Sequence, residues 1–178
     1  MTIHMRPEFY SIANDPSGIV GVFQERPNKY MMLLSFAQEI LREVSHLSPT
    51  EREVIAAYTS GLNGCEYCCG SHTAFALSLG ADDQDIKAIT DDEIIGHPLE
   101  SILSYVKKLT VTPSQISDLD KKLVHEAGFS EEQLKDAIAV CAAFNLFNRI
   151  VEGHGVEPHE NYDADVAMIN THGYDRRY

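Results

Sequence analysis

Residues 48–80 read SPTEREVIAAYTSGLNGCEYCCGSHTAFALSLG, and the punctuation of this stretch decides the fold class. Ser48 is an N-cap residue, Pro49 suits the first helical turn, and Glu51 stands where a capping box closes. A helix therefore starts here and runs to about Leu62, where Asn63-Gly64 breaks it. Another begins near the cysteine cluster and ends at Gly80, a residue that accepts the left-handed conformation at a helix C-terminus.

Working outward, residues 29–46 place Met32, Phe36, Ile40 and Val44 on one stripe at helical spacing. Further helices are expected at about 83–90, 98–109 and 116–127, the last stopped by Gly128. Ser130 to Gln133 forms a second capping box, opening the longest helix at about 131–152. That helix is apolar on most faces and is expected at the centre. No sustained two-residue alternation bounded by turn signals occurs, so the fold class is all-α. Residues 1–28, with Pro7, Pro16, Gly18, Gly21 and Pro27, read as an irregular N-terminal arm. Residues 29–156 form the helical domain, and residues 157–178 a polar C-terminal tail.

Composition excludes some partners. Fourteen Lys and Arg against 27 Asp and Glu give a formal charge of −13 over 178 residues. Such a surface repels nucleic acid and anionic membrane alike. The longest apolar run, Ala137 to Phe144, is far short of the ~20 residues that span a bilayer. The N-terminus lacks the apolar region of a signal peptide, so a cytoplasmic location is expected. Three of the four cysteines crowd into Cys65-Glu66-Tyr67-Cys68-Cys69. In a reducing compartment that clustering means redox chemistry or metal.

Cys65 and Cys68, three residues apart in a first helical turn, lie on one face and can form a disulfide. The unpaired N–H groups there favour a thiolate, which is the nucleophilic form. His72 follows Cys68 by one turn on the same face and can take its proton. Glu53, from the preceding helix, can reach the imidazole and fix its tautomer. Glu66 would oppose a thiolate unless it faces solvent. A zinc site built from Cys65, Cys68 and His72 would need Cys69 or a distant histidine as its fourth ligand. Cys69 and Cys141 read as core residues.

The pattern Glu53, Cys65, Cys68, His72, with Asn63-Gly64 just before the first cysteine, resembles the AhpD-like alkylhydroperoxidases of the carboxymuconolactone decarboxylase superfamily. It is closest to their peroxidase-related branch, and the likeness continues through Leu109–Pro113, Asp118–Gly128 and Phe144–Ile150. The resemblance implies an AhpD-like helical domain that assembles as a homo-oligomer, trimer or hexamer, with no cofactor. It also implies an antioxidant peroxidase reducing organic hydroperoxides. Carried over, Cys68 is the peroxidatic thiol, Cys65 the more exposed resolving thiol, His72 the proton mediator and Glu53 its support. An external dithiol, on a lipoylated or thioredoxin-like protein, would restore the thiols. Tyr67 stands at a relay position that the characterised alkylhydroperoxidases fill with histidine, and a phenol titrating near 10 is a poor base. The alternatives are a non-catalytic thiol–disulfide or metal-binding module, or a decarboxylase-type activity of the same superfamily.

Overall fold

Helix α4 (Pro49–Leu62) begins with the expected capping box: the Glu51 N–H donates to Ser48 Oγ, and the Glu51 carboxylate accepts the Ser48 N–H. The computed structural model describes residues 18–175, and helix is the only regular secondary structure among them. Before α4 come α1 (Ile19–Glu25), α2 (Pro27–Tyr30) and α3 (Met32–Leu41). After it come α5 (Glu66–Ser78), α6 (Asp83–Thr90), α7 (Glu100–Val111), α8 (Asp118–Glu126), α9 (Glu131–His154) and α10 (Asp163–His172). The all-α class and the Ser130–Gln133 capping box of α9 agree with the sequence. At Gly80 (φ 92°), Ala81 N–H donates to Ala76 O and Gly80 N–H to Leu77 O, a Schellman closure of α5.

The innermost helix is α4, not α9. Every residue from Arg52 to Ser60 is buried, and α4 packs on α5, α7 and α9. Its polarity hid this in the sequence. Thr59 and Ser60 bond back to the carbonyls of Ile55 and Ala56, and Arg52 donates to the carbonyls of Ile40 and Glu43. Buried polar groups satisfied in this way carry little penalty. Helix α9, by contrast, leaves Leu146 and Arg149 exposed.

Three other boundaries differ. Helix α3 ends at Leu41 rather than near residue 46, because Asp136 captures the next turn: its Oδ2 accepts Ser45 Oγ–H and the His46 N–H, each at 2.7 Å. The buried face of α3 is Leu34, Ala37, Gln38 and Leu41, while Met32 and Val44 of the expected stripe are exposed. Residues 19–25 and 27–30 are helical and bury Val22 and Phe23, so from Gly18 onward the arm is not irregular. The remainder of that arm lies outside the described residues. The C-terminal tail carries α10, which packs against α5.

Candidate active site

Asn63 and Gly64 set the geometry of the cysteine pair. Gly64 takes φ 70°, a left-handed value that favours glycine, and the Cys65 N–H closes α4 by donating to Ser60 O. Asn63 Nδ2 donates to Asn148 Oδ1 at 2.9 Å, tying this turn to α9. The chain therefore re-enters helix with Cys65 at the N-cap of α5 and Cys68 three residues on. Both thiols are free, and both are enclosed, Cys65 at 0% and Cys68 at 2% exposure. Cys65 is thus not the more exposed of the two.

The pair is electrostatically lopsided. Cys65 is pushed below its ordinary value, first by the hydrogen bond from the Cys68 thiol and, against burial, by the Cys68 backbone N–H. Glu152 opposes this, while Glu66 is exposed, as a thiolate here requires. Cys68 is pushed up, first by its bond to Cys65 and then by burial, with Asn148 pulling the other way. Of the two thiols, Cys65 is the one favoured as thiolate.

Glu53 and His72 meet as the sequence suggested. His72 Nδ1 lies 2.5 Å from Glu53 Oε2, with Glu53 fully buried and His72 7% exposed. Burial alone would raise the Glu53 carboxyl, but His72, Arg42 and Tyr174 together hold it below its ordinary value. With Nδ1–H assigned to the carboxylate, Nε2 is left as the accepting nitrogen. The imidazole is wedged edge-on against Phe144 and Phe75, at centroid distances of 4.4 and 5.3 Å.

Arg42, Tyr174 and Asn148 were not singled out in the sequence as site residues. Arg42 Nη1 and the Tyr174 hydroxyl (2.7 Å) both donate to Glu53 Oε1, and the guanidinium lies 5.0 Å over the Tyr174 ring. The Tyr174 N–H donates to Gln38 Oε1, and a Cβ at Gly173 (φ 70°) would collide with that same oxygen. No local spacing could have revealed contacts spanning 121 residues. Asn148 did leave a signal, since an amide on the buried side of an apolar helix must find partners. Replacing Tyr174 with phenylalanine is expected to lower unfolding stability by about 1–2 kcal/mol, the scale of a partly shielded bond to a charged group. Chemical denaturation with an unchanged m-value is the check.

Tyr67 is buried, but its hydroxyl accepts the Ile19 N–H, turning it toward α1 and away from Glu53. Burial raises its phenol further above the ordinary range. Cys141 is buried beside Thr110 and Cys69 is half-buried; burial raises both thiols. Among the described residues, no three or more His, Cys, Asp or Glu side chains gather in metal-holding geometry. Nor is any described helix long and apolar enough to cross a membrane.

Cys68, Ser71 and His72 open on a mostly apolar cavity of about 100 Å³, walled by Phe144 and Phe147 of α9 and by Met168 and Ile169 of α10. Residues 28–96, which contain Glu53, Cys65, Cys68 and His72, match the carboxymuconolactone decarboxylase family. Over those residues the chain is similar to that family. An uncharacterized Bacillus subtilis protein, YdfG, is 26% identical over 124 residues, covering 67% of this chain and 83% of its own. An uncharacterized peroxidase-related protein from Silicibacter superposes with a TM-score of 0.73 at 23% identity, over 80% of this chain and 76% of its own. A peroxidase-related protein from Ralstonia eutropha, with an alkylhydroperoxidase AhpD core, gives 0.73 at 22%, over 78% and 75%. The debrominase Bmp8, solved with 2,3,4-tribromopyrrole, gives 0.64 at 15%, over 84% and 79%. At these identities the likenesses establish an AhpD-like fold. The family match over residues 28–96 supports a peroxidase-related or decarboxylase-type role.

Proposed function

We propose that this protein is a member of the carboxymuconolactone decarboxylase superfamily and a thiol-dependent peroxidase that reduces organic hydroperoxides through Cys65 and Cys68, with Glu53 and His72 as its proton relay. One observation carries the reading: Cys68 and His72 line the same apolar cavity, while Cys65 bonds to Cys68 outside it. A fold shared with a debrominase does not select a reaction, so the choice rests on this cysteine geometry.

Cys68 passes its proton to His72, and the resulting thiolate attacks the distal peroxide oxygen. The O–O bond breaks, and the departing alkoxide recovers the proton from His72 and leaves as an alcohol. Cys68, oxidised by two electrons, becomes a sulfenic acid. Cys65, the thiol favoured as thiolate, then attacks the Cys68 sulfur and expels hydroxide, which is protonated to water as the disulfide forms. An external dithiol, on a lipoylated or thioredoxin-like protein, returns two electrons and two protons. Because both sulfurs are enclosed, that exchange requires the cover over the pair to open. Tyr67, bonded to Ile19, has a packing role in this scheme.

The same reading includes a cytoplasmic homo-oligomer, a trimer or hexamer, supported by the apolar side chains that α3 and α9 leave exposed, among them Met32, Phe36 and Leu146. Steady-state consumption of tert-butyl hydroperoxide with excess dihydrolipoamide or dithiothreitol tests the chemistry. Many turnovers per chain are expected. Consumption that stops at one equivalent would leave a redox module rather than an enzyme.

A further inference from the structure

One wall of the cavity that Cys68 lines comes from the segment that reads in sequence as a polar tail. Met168 and Ile169 of α10 line the cavity and keep partial exposure, so among the described residues α10 forms the outer wall of this part of it. The segment is fastened at three points: Tyr162 OH to Tyr67 O, Asn170 Nδ2 to Ser78 Oγ, and Tyr174 to Gln38 and Glu53. Asp165, half-buried and bonded to His159, stands at the same wall.

Size and charge together limit what can enter. An apolar cavity of about 150 Å³ holds a benzene ring, and this one measures about 100 Å³. With the peroxide oxygens at Cys68, the remaining space suits a branched alkyl group of about four carbons and is too small for an aryl group. A carboxylate would meet Asp165 and a mostly apolar lining to which, among the described residues, no Lys or Arg contributes, at a steep desolvation cost. We infer that the site selects compact, uncharged alkyl hydroperoxides over aryl and fatty-acid hydroperoxides, and that Met168 and Ile169 set this limit. The chemistry rests on the peroxidase reading; the steric limit does not.

The test compares kcat/KM for tert-butyl and cumene hydroperoxides in the full-length protein and in the Met168→Ala, Ile169→Ala double variant. A misfit of even one methylene in an apolar pocket discriminates roughly 10- to 200-fold, so wild type is expected to favour the tert-butyl compound by at least about tenfold. The double variant should reduce that ratio by about tenfold, through faster use of cumene hydroperoxide. Equal use of both by wild type, or an unchanged ratio in the variant, would overturn the inference. Protection of Cys68 from iodoacetamide by the product alcohols, followed by peptide mapping, is independent of turnover. Better protection by tert-butanol than by cumyl alcohol, lost in the variant, would sustain the steric limit even if no peroxide were reduced; equal protection would refute it.

Discussion

Replacing Cys68 with serine is expected to reduce peroxide turnover by roughly 10³-fold or more, the scale of losing a covalent nucleophile. Cys65→Ser should also end multiple turnover, but in a different way. Cys68 still meets the peroxide from the cavity, so one equivalent is consumed and a sulfenic acid persists, open to capture by dimedone. Cys141→Ser should leave turnover intact, because that thiol is bonded to Thr110 in the core, away from the cavity. Multiple turnover by either single variant of the pair, read in a steady-state peroxide assay, would exclude the proposed division of labour. If Cys65→Ser consumed nothing at all, Cys65 would be the attacking sulfur.

Glu53→Gln is expected to act on rate and stability together. The amide keeps the size of the side chain but cannot hold the His72–Arg42 cluster as an anion, so turnover should fall roughly 10²- to 10⁴-fold, the usual weight of a general acid–base relay. Leaving Arg42 without its buried counter-charge should cost about 3 kcal/mol. The pH dependence carries the sign. Because the folded protein holds the Glu53 carboxyl below its ordinary value, its contribution to stability is present above the unfolded carboxylate range. It is lost as pH falls through the lowered folded value. The stability gap between wild type and Glu53→Gln should therefore narrow on acidification, as followed by denaturant unfolding across the carboxylate range. A gap independent of pH would mean that Glu53 serves only as packing.

What could be read from the sequence follows from how far each interaction reaches along the chain. The caps at Ser48 and Ser130 and the break at Asn63-Gly64 are local chemistry, and their structural counterparts agree closely. The Glu53–His72 contact was legible because two consecutive helices joined by a tight turn can only pack back on one another. Arg42 and Tyr174 reach Glu53 from distant segments, and neither carries a motif. Helix α10 escaped notice because it buries no residue completely, which leaves a weak apolar pattern. The α3 stripe misled for the opposite reason: the helix is apolar over so wide an arc that periodicity could not choose which side faces inward. The preference of Cys65 over Cys68 for the thiolate form depends on an N-cap position and a neighbouring thiol, which only atomic geometry resolves.

The most direct measurement is intact-mass spectrometry of the fully reduced protein, seconds after one equivalent of tert-butyl hydroperoxide, with peptide mapping of the product. The expected result is a loss of about two daltons, located as a disulfide between Cys65 and Cys68. Unchanged thiols, or oxidation spread evenly over all four cysteines, would contradict the assignment of this pair as a peroxidatic dithiol.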